Sequence, residues 1–487
     1  MHSLLNLLLR SAFPAEVRDW ILLLADVLAL ATIPSVLVRR SGRPLAALSW
    51  ILALLAVPFG GVIVWWLLGR THLQRPARKR KRSQRRMDAE HPETPPPAPE
   101  IPAVIRAVLP FALQGDRRWS EGVFPPADAT DVRVFANGAE AFAAMESAIV
   151  QARTEIRAVF YIWQADETGR RIADKMIERA RAGVKVRILV DEVGSRAFLR
   201  QMAPSLRAAG VEVAGFLPAS FRPWAPTFNF RNHRKLLLVD GHCAFTGGMN
   251  IGREYECEWR DQCARLSGPV LESLDAVFQE DWLFVTGESL RDLIPEGESD
   301  DTSENRALCV VIASGPDRDE HRVHDGFFLA ITNAHSRVWL TSPYFVPDAS
   351  LLEALRTAAM RGVDVRILTP LQNDVRLVAL ASCSCREPLL RAGVRLFEFL
   401  PCFMHTKNLI IDDELSVIGS ANVDTRSFRL NFELACFLVS RRVNERLATF
   451  FESDLRESRE ITRAEVEARG VFRRCLESGA NLLSPLL

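Results

Sequence analysis

The stretch 231-RNHRKLLLVDGHCAFTGGMN-250 is echoed by 402-CFMHTKNLIIDDELSVIGSAN-422. His233, Lys235, Asp240 and Asn250 of the first return as His405, Lys407, Asp412 and Asn422 in the second, each displaced by 172 residues. A further pair, Asp261 and Glu433, keeps the same displacement and stands 28 residues after its histidine. The apolar runs Leu236–Val239 and Leu409–Ile411 read as strands buried on both faces. His and Lys two apart on a strand project from one face. A single His-x-Lys on a strand is usually decoration, but two copies matched at five positions imply one chemical kit built twice, and therefore one shared site.

Around these strands the chain reads as two α/β halves. In the first, Val159–Trp163 is a strand, Thr168–Ala182 a helix, and the runs from Gly183 and Gly210 are strands that lead to the reactive one. In the second, 338-VWLTSPYF, a helix over Ser350–Arg361 and strands from Gly362 and Gly393 repeat the series. The glycines match at offsets of 179 and 183 and the motifs at 172, so the first half carries roughly eleven extra residues before its motif. They fall in 218-PASFRPWAPTFNFRN-232, rich in aromatics and Pro, a candidate lining for a ligand entrance. The acidic run 296-EGESDDTSEN-305 is the natural junction. Each half puts one His at a strand mouth, so a face-to-face arrangement with an approximate internal two-fold is expected.

The N-terminal region is of another kind. Leu45–Leu68 has no charge over 24 residues, enough to cross a hydrocarbon core of about 30 Å. Trp20–Val38 is a second span containing Asp26 and Pro34, its mid-span carboxylate costing roughly 2.5–3.5 kcal/mol, which the surrounding Leu, Ala and Val offset. The two predict a membrane hairpin, with an interfacial or re-entrant helix as the alternative for Trp20–Val38. Met1–Pro14 lacks the pattern of a cleaved signal peptide. Nine Lys or Arg lie between Arg70 and Arg86, against Arg39, Arg40 and Arg43 between the spans, so the positive-inside rule puts the C-terminal bulk in the cytoplasm. Without those nine, the formal charge of +1 becomes about −8. The basic character is a collar suited to anionic headgroups, and the body does not look like a nucleic-acid groove. Pro-rich 91-HPETPPPAPEIP-102 follows as an extended spacer. Nine Cys without a Cys-x2-Cys argue against a zinc ribbon or a disulfide framework and suit a reducing compartment. His321 and His324 read as surface-loop residues, and no metal or cofactor is expected.

The paired His-Lys-Asp motif resembles the signature of the phospholipase D superfamily. Within it the chain is similar to the bacterial cardiolipin synthases, from about Arg39 onward. The supporting stretches are 43-RPLAALSWILALLAVPFGGVIVWWLLG, 161-YIWQADETGRRIADKMIERARAGVKVRILVDEVGS, 250-NIGREYECEWRD, 342-SPYFVPDASLLEALRTAAMRGVDVRIL and 420-SANVDTRSFRLNFE. Thr406, where many relatives carry Ala, and the Cys383–Cys385 region depart from the pattern without touching a reactive position. The resemblance implies two phospholipase D-like α/β/α sandwich halves, over 106–295 and 306–487, after a membrane segment over 1–70 and a basic, Pro-rich linker over 71–105. It implies phosphatidyl transfer between two phosphatidylglycerol molecules at the inner membrane through a phosphohistidine. His233 attacks and His405 is acid and base. Lys235, Lys407, Asn250 and Asn422 hold the phosphate. Asp240 and Asp412, the remaining members of the motif, read as anchors of their strand ends, and Asp261 and Glu433 as orienters of the imidazoles. A phospholipase D-type hydrolase, a transferase using another alcohol and a membrane-attached nuclease are the competing readings.

Overall fold

The computed structural model describes residues 14–39, 44–66, 101–113, 122–216, 230–291, 293, 304–318 and 320–484. The basic collar, most of the Pro-rich spacer, most of the insertion over 218–232 and most of the acidic junction lie outside these residues.

Among its described residues, the N-terminal unit has the helices α1 (Ala15–Arg39), α2 (Pro44–Ala56) and α3 (Pro58–Val64). Within α1, Asp19–Arg39 is long and apolar enough to cross a membrane, with a mean hydropathy of 2.4 over its best window. The second segment departs from expectation, because Leu45–Leu68 is not one continuous helix. It breaks at Val57 (φ −137°, ψ 72°), immediately before Pro58. Proline disfavours helical geometry in the residue before it and brings no N–H of its own, so the chain restarts with Pro58 at the first position of α3. Inside the unit, Ala29, Val36, Ala47, Leu54 and Trp65 are buried together. The Trp65 indole N–H donates to Ser35 Oγ at 3.3 Å.

Fifteen of the described strands build the two sheets of the body. In the first half these are β1 (Asp131–Phe135), β2 (Glu155–Phe160), β3 (Lys185–Asp191), β4 (Glu212–Phe216), β5 (Leu236–Val239), β6 (Cys243–Gly247) and β7 (Cys263–Ser267). In the second they are β8 (Ala307–Ser314), β9 (Arg337–Thr341), β10 (Asp364–Pro370), β11 (Arg395–Phe399), β12 (Asn408–Ile411), β13 (Leu415–Gly419) and β14 (Asn431–Val439), with β15 (Ser458–Ile461) on the outer edge. The first sheet runs β1-β7-β6-β5-β2-β3-β4 and the second β8-β14-β13-β12-β9-β10-β11, the same order with every strand advanced by seven. Along these two orders, only the β2-β3-β4 and β9-β10-β11 pairs are parallel.

The helices follow the same repeat: α4 (Gly138–Gln151), α5 (Glu167–Arg181) and α6 (Val270–Thr286) in the first half, α7 (Arg322–Asn333), α8 (Ala349–Met360) and, after the short α9 (Arg376–Ser384), α10 (Arg441–Arg456) in the second. Asp166 and Asp348 cap α5 and α8, accepting from the N–H three residues on. Gly183 and Gly362 just beyond them take φ of +93° and +91°, the left-handed exit that lets the chain turn into the next strand. Phe142, Met145, Ile172 and Met176 pack on Ile156, Ile188 and Val190 in one core. Phe327, Ile331, Leu351 and Leu355 pack on Val338, Leu340, Val365 and Ile367 in the other.

The boundary expected at residue 106 is displaced. Ile105, Val108 and Leu109 belong to the core of the second half, and the short strand Ala127–Ala129 pairs with β8. The first half thus starts at β1, and the preceding segment completes the edge of its partner. His321 lies just before α7, at its N-cap position without a side-chain cap, whereas His324 is not in a loop but within the helix, its Nε2 3.1 Å from Ser350 Oγ and 3.2 Å from Asp348 Oδ2.

The halves interlock reciprocally. The two residues before His233 pair in parallel with Asn431 and Phe432, and His233 N donates to Phe432 O at 2.9 Å. At positions displaced by 172, Met404 pairs with Arg260, and His405 N donates to Arg260 O at 2.8 Å. Two copies of one contact with the partners exchanged are the signature of a two-fold interface.

Candidate active site

His233 and Lys235 immediately precede β5, and His405 and Lys407 precede β12. The reciprocal pairing of the halves brings all four together. Both imidazoles and both ammonium groups are buried, His233 keeping 8% and His405 5% of its surface exposed.

The carboxylates act across the repeat. Counting along the chain attaches Asp261 to His233 and Glu433 to His405, but the structure exchanges them. His233 Nδ1 lies 3.0 Å from both Glu433 carboxylate oxygens, and His405 Nδ1 lies 2.6 Å from Asp261 Oδ2. Each half therefore orients the imidazole of the other. Glu433 is itself held by the Ser420 hydroxyl and by Asn431 Nδ2 at 3.2 Å. Asp261 takes the N–H of Gln262 at 2.8 Å. A Cβ at Gly248 would come within 2.3 Å of Asp261 Oδ1, so glycine there is what allows the shorter carboxylate its position.

Burial lowers the His233 pKa to about 4 and the His405 pKa to about 3, helped by Lys235 and Lys407 and opposed by the carboxylates. For Glu433, burial pushes upward, but His233 and Lys235 outweigh it and hold the carboxyl at about 2. The resting arrangement is a neutral imidazole that donates its Nδ1 proton to a carboxylate and leaves Nε2 unprotonated; at His405 that Nε2 lies 3.1 Å from Lys407 Nζ. Burial likewise lowers Lys407 to about 8 and Lys235 well below the ordinary lysine value. Lys235 Nζ donates to His233 O at 2.7 Å and Lys407 Nζ to His405 O at 2.5 Å. In its protonated form, each ammonium group in this poorly solvated site attracts an anion strongly.

The remaining sequence candidates divide. Asp240 and Asp412 lie at the far ends of β5 and β12 from the histidines. Asp240 accepts from the N–H groups of Arg153, Thr154 and Glu155 at 2.6–2.9 Å, and Asp412 from those of His335, Ser336 and Arg337 at 2.7–3.1 Å. Both take positive φ, 54° and 46°, a conformation aspartate tolerates better than most residues. They anchor the strand ends and are not among the groups that meet at the histidines. Asn250 is largely committed inside the protein, accepting from Ile162 N at 3.0 Å and donating to Tyr255 OH at 2.9 Å. The buried Oδ1 of Asn422 has no hydrogen-bond partner among the described residues.

Several residues escaped the sequence reading. Tyr161 stands edge-on to His233 at 5.0 Å, with Lys235 Nζ 5.5 Å from its ring. His405 is walled by Tyr255, Trp259 and Phe403 at 5.1–5.9 Å. Arg234, fully buried, ties the β5 strand to Asp281 of α6 at 2.7 Å, to Glu433 O at 3.2 Å and to Ser314 O at 3.0 Å. The repeat offered no signal for these residues, because their equivalents differ in kind: Ser427 for Tyr255, Asn431 for Trp259, Thr406 for Arg234.

Two phospholipase D-type sheets that share a paired His-Lys centre define the class: a phosphodiester-processing enzyme with one composite site made by an internal repeat. The solved phosphatidylserine synthase of Haemophilus influenzae Rd KW20 has the same fold, with a TM-score of 0.57 over 74% of this chain and 97% of its own at 15% identity. The model of the cardiolipin synthase phospholipase D-like domain matches residues 145–282 and 328–455. Cardiolipin synthase 1 of Bacillus anthracis is 34% identical, covering 91% of this chain and 89% of its own length. Cardiolipin synthase A of Pseudomonas aeruginosa LESB58 is 37% identical over 94% and 93%, and that of Pseudomonas putida W619 40% over 73% and 75%. The chain belongs to the cardiolipin synthase family of the phospholipase D superfamily, and it is a phosphatidyltransferase of that superfamily.

Proposed function

We propose that the chain transfers a phosphatidyl group from one phosphatidylglycerol to the hydroxyl of another, giving cardiolipin and glycerol. The observation that carries this reading is the reciprocal pair of imidazole–carboxylate contacts with two buried lysines between them. His233 Nε2 attacks phosphorus and the bond to the glycerol oxygen breaks, that oxygen taking a proton from His405. The resting His405 is neutral; the negative charge of the bound phosphodiester raises its proton affinity, so that it takes up a proton from water before the first transfer, and deprotonating the incoming hydroxyl restores that proton for the next turnover. Lys235 and Lys407 hold the non-bridging oxygens as charge shifts onto them. His405 then takes the proton of the incoming hydroxyl as that oxygen displaces His233, and the two displacements together retain configuration at phosphorus. Glu433 and Asp261 fix the tautomers, and Asn422 Oδ1 offers an acceptor for a substrate hydroxyl.

A lipid donor and a lipid acceptor fit a chain with a membrane-crossing helix. We place it in the bacterial inner membrane, with α1 and the broken α2–α3 segment both inserted and the body on the cytoplasmic side. Incubating purified protein with phosphatidylglycerol alone and resolving the products by mass should show cardiolipin and glycerol in equal amounts. Phosphatidic acid as the main product would make the enzyme a hydrolase. Rapid acid-free quenching and peptide mapping should find the phosphatidyl adduct on His233; an adduct on His405 would reverse the two roles.

A further inference from the structure

The last helix, α11 (Val471–Asn481), is seated on the body by one edge only. Ala480 is buried against Val346, Val378 and Ala381 beside Tyr344, and Glu477 is buried and bound by Arg469 at 2.5 Å. The other side is apolar and faces out: Val471 is 78% exposed, Phe472 79%, Leu476 47%, Leu482 81% and Leu483 44%, with exposed Cys475 among them. At 100° per residue these positions fall in one sector of about 140°. Arg473 and Arg474 stand on either side of that sector, their side chains 64% and 43% exposed; Arg473 Nε also donates to Glu477 Oε1 at 3.1 Å and Arg474 to Glu467 O at 3.1 Å, which leaves other guanidinium N–H groups of each to face outward. The only acid on the helix is the buried Glu477, so every charge that α11 presents outward is positive. An exposed apolar stripe flanked by arginines, with nothing acidic on its face, is the chemistry of a helix lying in the headgroup layer of an anionic bilayer.

Its place in the fold strengthens the case. Tyr344, packed beside the seat of α11, stacks toward Phe403 at 6.4 Å, and Phe403 lies 5.9 Å from His405. Leu371, Val375 and Leu400, on turns that leave the same edge of the sheet, are 40–49% exposed, and Leu371 N donates to Phe399 O at 3.1 Å. A rim of exposed apolar side chains thus runs from α11 to the aromatic wall of the reactive centre.

We propose that α11 is a peripheral membrane contact: its outward face enters the interface of an anionic bilayer beside the active site, with Arg473 and Arg474 on lipid phosphates. This rests on the reading of the substrate as a bilayer lipid, and the helix then sets where the lipid is taken from. The test uses the full chain with Cys257→Ser and Cys402→Ser, a nitrobenzoxadiazole label on Cys475, and vesicles of phosphatidylglycerol and phosphatidylcholine. The label should shift to the blue and be quenched by lipids spin-labelled near the headgroup, both effects disappearing in Phe472→Asp/Leu476→Asp. On vesicles that double variant should lose about tenfold in rate, the factor that 1.4 kcal/mol of lost contact gives, while keeping its rate in detergent mixed micelles. Water-like, unquenched emission overturns the proposal. So does efficient Cys475–Cys475 cross-linking without lipid quenching, which would make the stripe a face for a second copy. Because quenching needs no turnover and no substitution on the stripe beyond the label, it reads the contact even if the double variant folds poorly. Quenching in a protein that makes no cardiolipin would sink the proposed reaction and leave the contact standing.

Discussion

At Gly248 one methyl group decides whether His405 is oriented. The added carbon of Gly248→Ala would sit 2.3 Å from an Asp261 oxygen, so the carboxylate must retreat and lose its 2.6 Å contact with the imidazole. A displacement of about 1 Å at a catalytic group can cost about 100-fold in rate, and that loss is expected in kcat with thermal stability little changed. Full activity of Gly248→Ala would show that Asp261 does not need this position. Lys407 gives a second test, through pH. Its pKa is lowered to about 8, so the protonated form is complete below that value and lost as pH rises through it. If its charge binds the phosphodiester, kcat/KM should fall as pH climbs through about 8, and Lys407→Arg should abolish that limb at a reduced overall rate, since guanidinium keeps its proton but not the geometry. A profile flat to pH 10 would exclude the lysine from the limb. The site was legible in the sequence to the extent that its residues are duplicated. His, Lys and the carboxylates repeat at one offset; Tyr255 and Trp259 do not and so were invisible. The repeat could not say which carboxylate serves which imidazole, because spacing along the chain carries no information about contacts across an interface.

At the scale of elements, α6 carries much of the cost of building the centre. It is buried along nearly its whole length although it contains Asp275, Glu280 and Asp281. These acids answer Arg157, Arg318 and Arg234 at 2.6–2.9 Å. Removing one partner of such a pair leaves an unmatched charge, a penalty of about 3–5 kcal/mol. Asp281→Ala should therefore lower the melting temperature by several degrees and reduce activity in proportion to the folded fraction, whereas a change of activity without a thermal shift would assign Asp281 a direct role. The same scale shows where sequence reading stops. Strands and helices flanked by Gly183, Gly210, Gly362 and Gly393 were legible because buried apolar runs and left-handed exits leave a pattern. The break at Val57 was missed because composition over 45–68 is uniformly apolar, and only the local geometry imposed by Pro58 interrupts it. The attachment of 105–109 and 127–129 to the second half was missed because a short edge segment chooses its partner by tertiary fit.

Across the whole molecule, the exchange of carboxylates makes the halves chemically incomplete alone. His233 needs Glu433 and His405 needs Asp261, so one working centre uses both halves of one chain, and each chain has one centre. Mixtures of two variants put this closure to the test. His233→Ala lacks the nucleophile and His405→Ala the acid; in both, the missing group belongs to a site whose other members are fixed in the same chain by the pairing of residues 231–232 with 431–432. Reconstituting the two variants together in the same vesicles should leave transfer at the level of either alone, at every protein-to-lipid ratio. If the halves instead exchanged between chains, a swapped pair would contain one intact centre, with His233 and His405 contributed by different molecules, and one lacking both. Random exchange would then restore a substantial fraction of wild-type activity, growing with protein density in the membrane. Recovery of that kind would show that the centre assembles between chains and that the internal repeat is not closed on itself; continued inactivity of the mixture, with each variant folded by thermal melting, is the outcome the reciprocal contacts require.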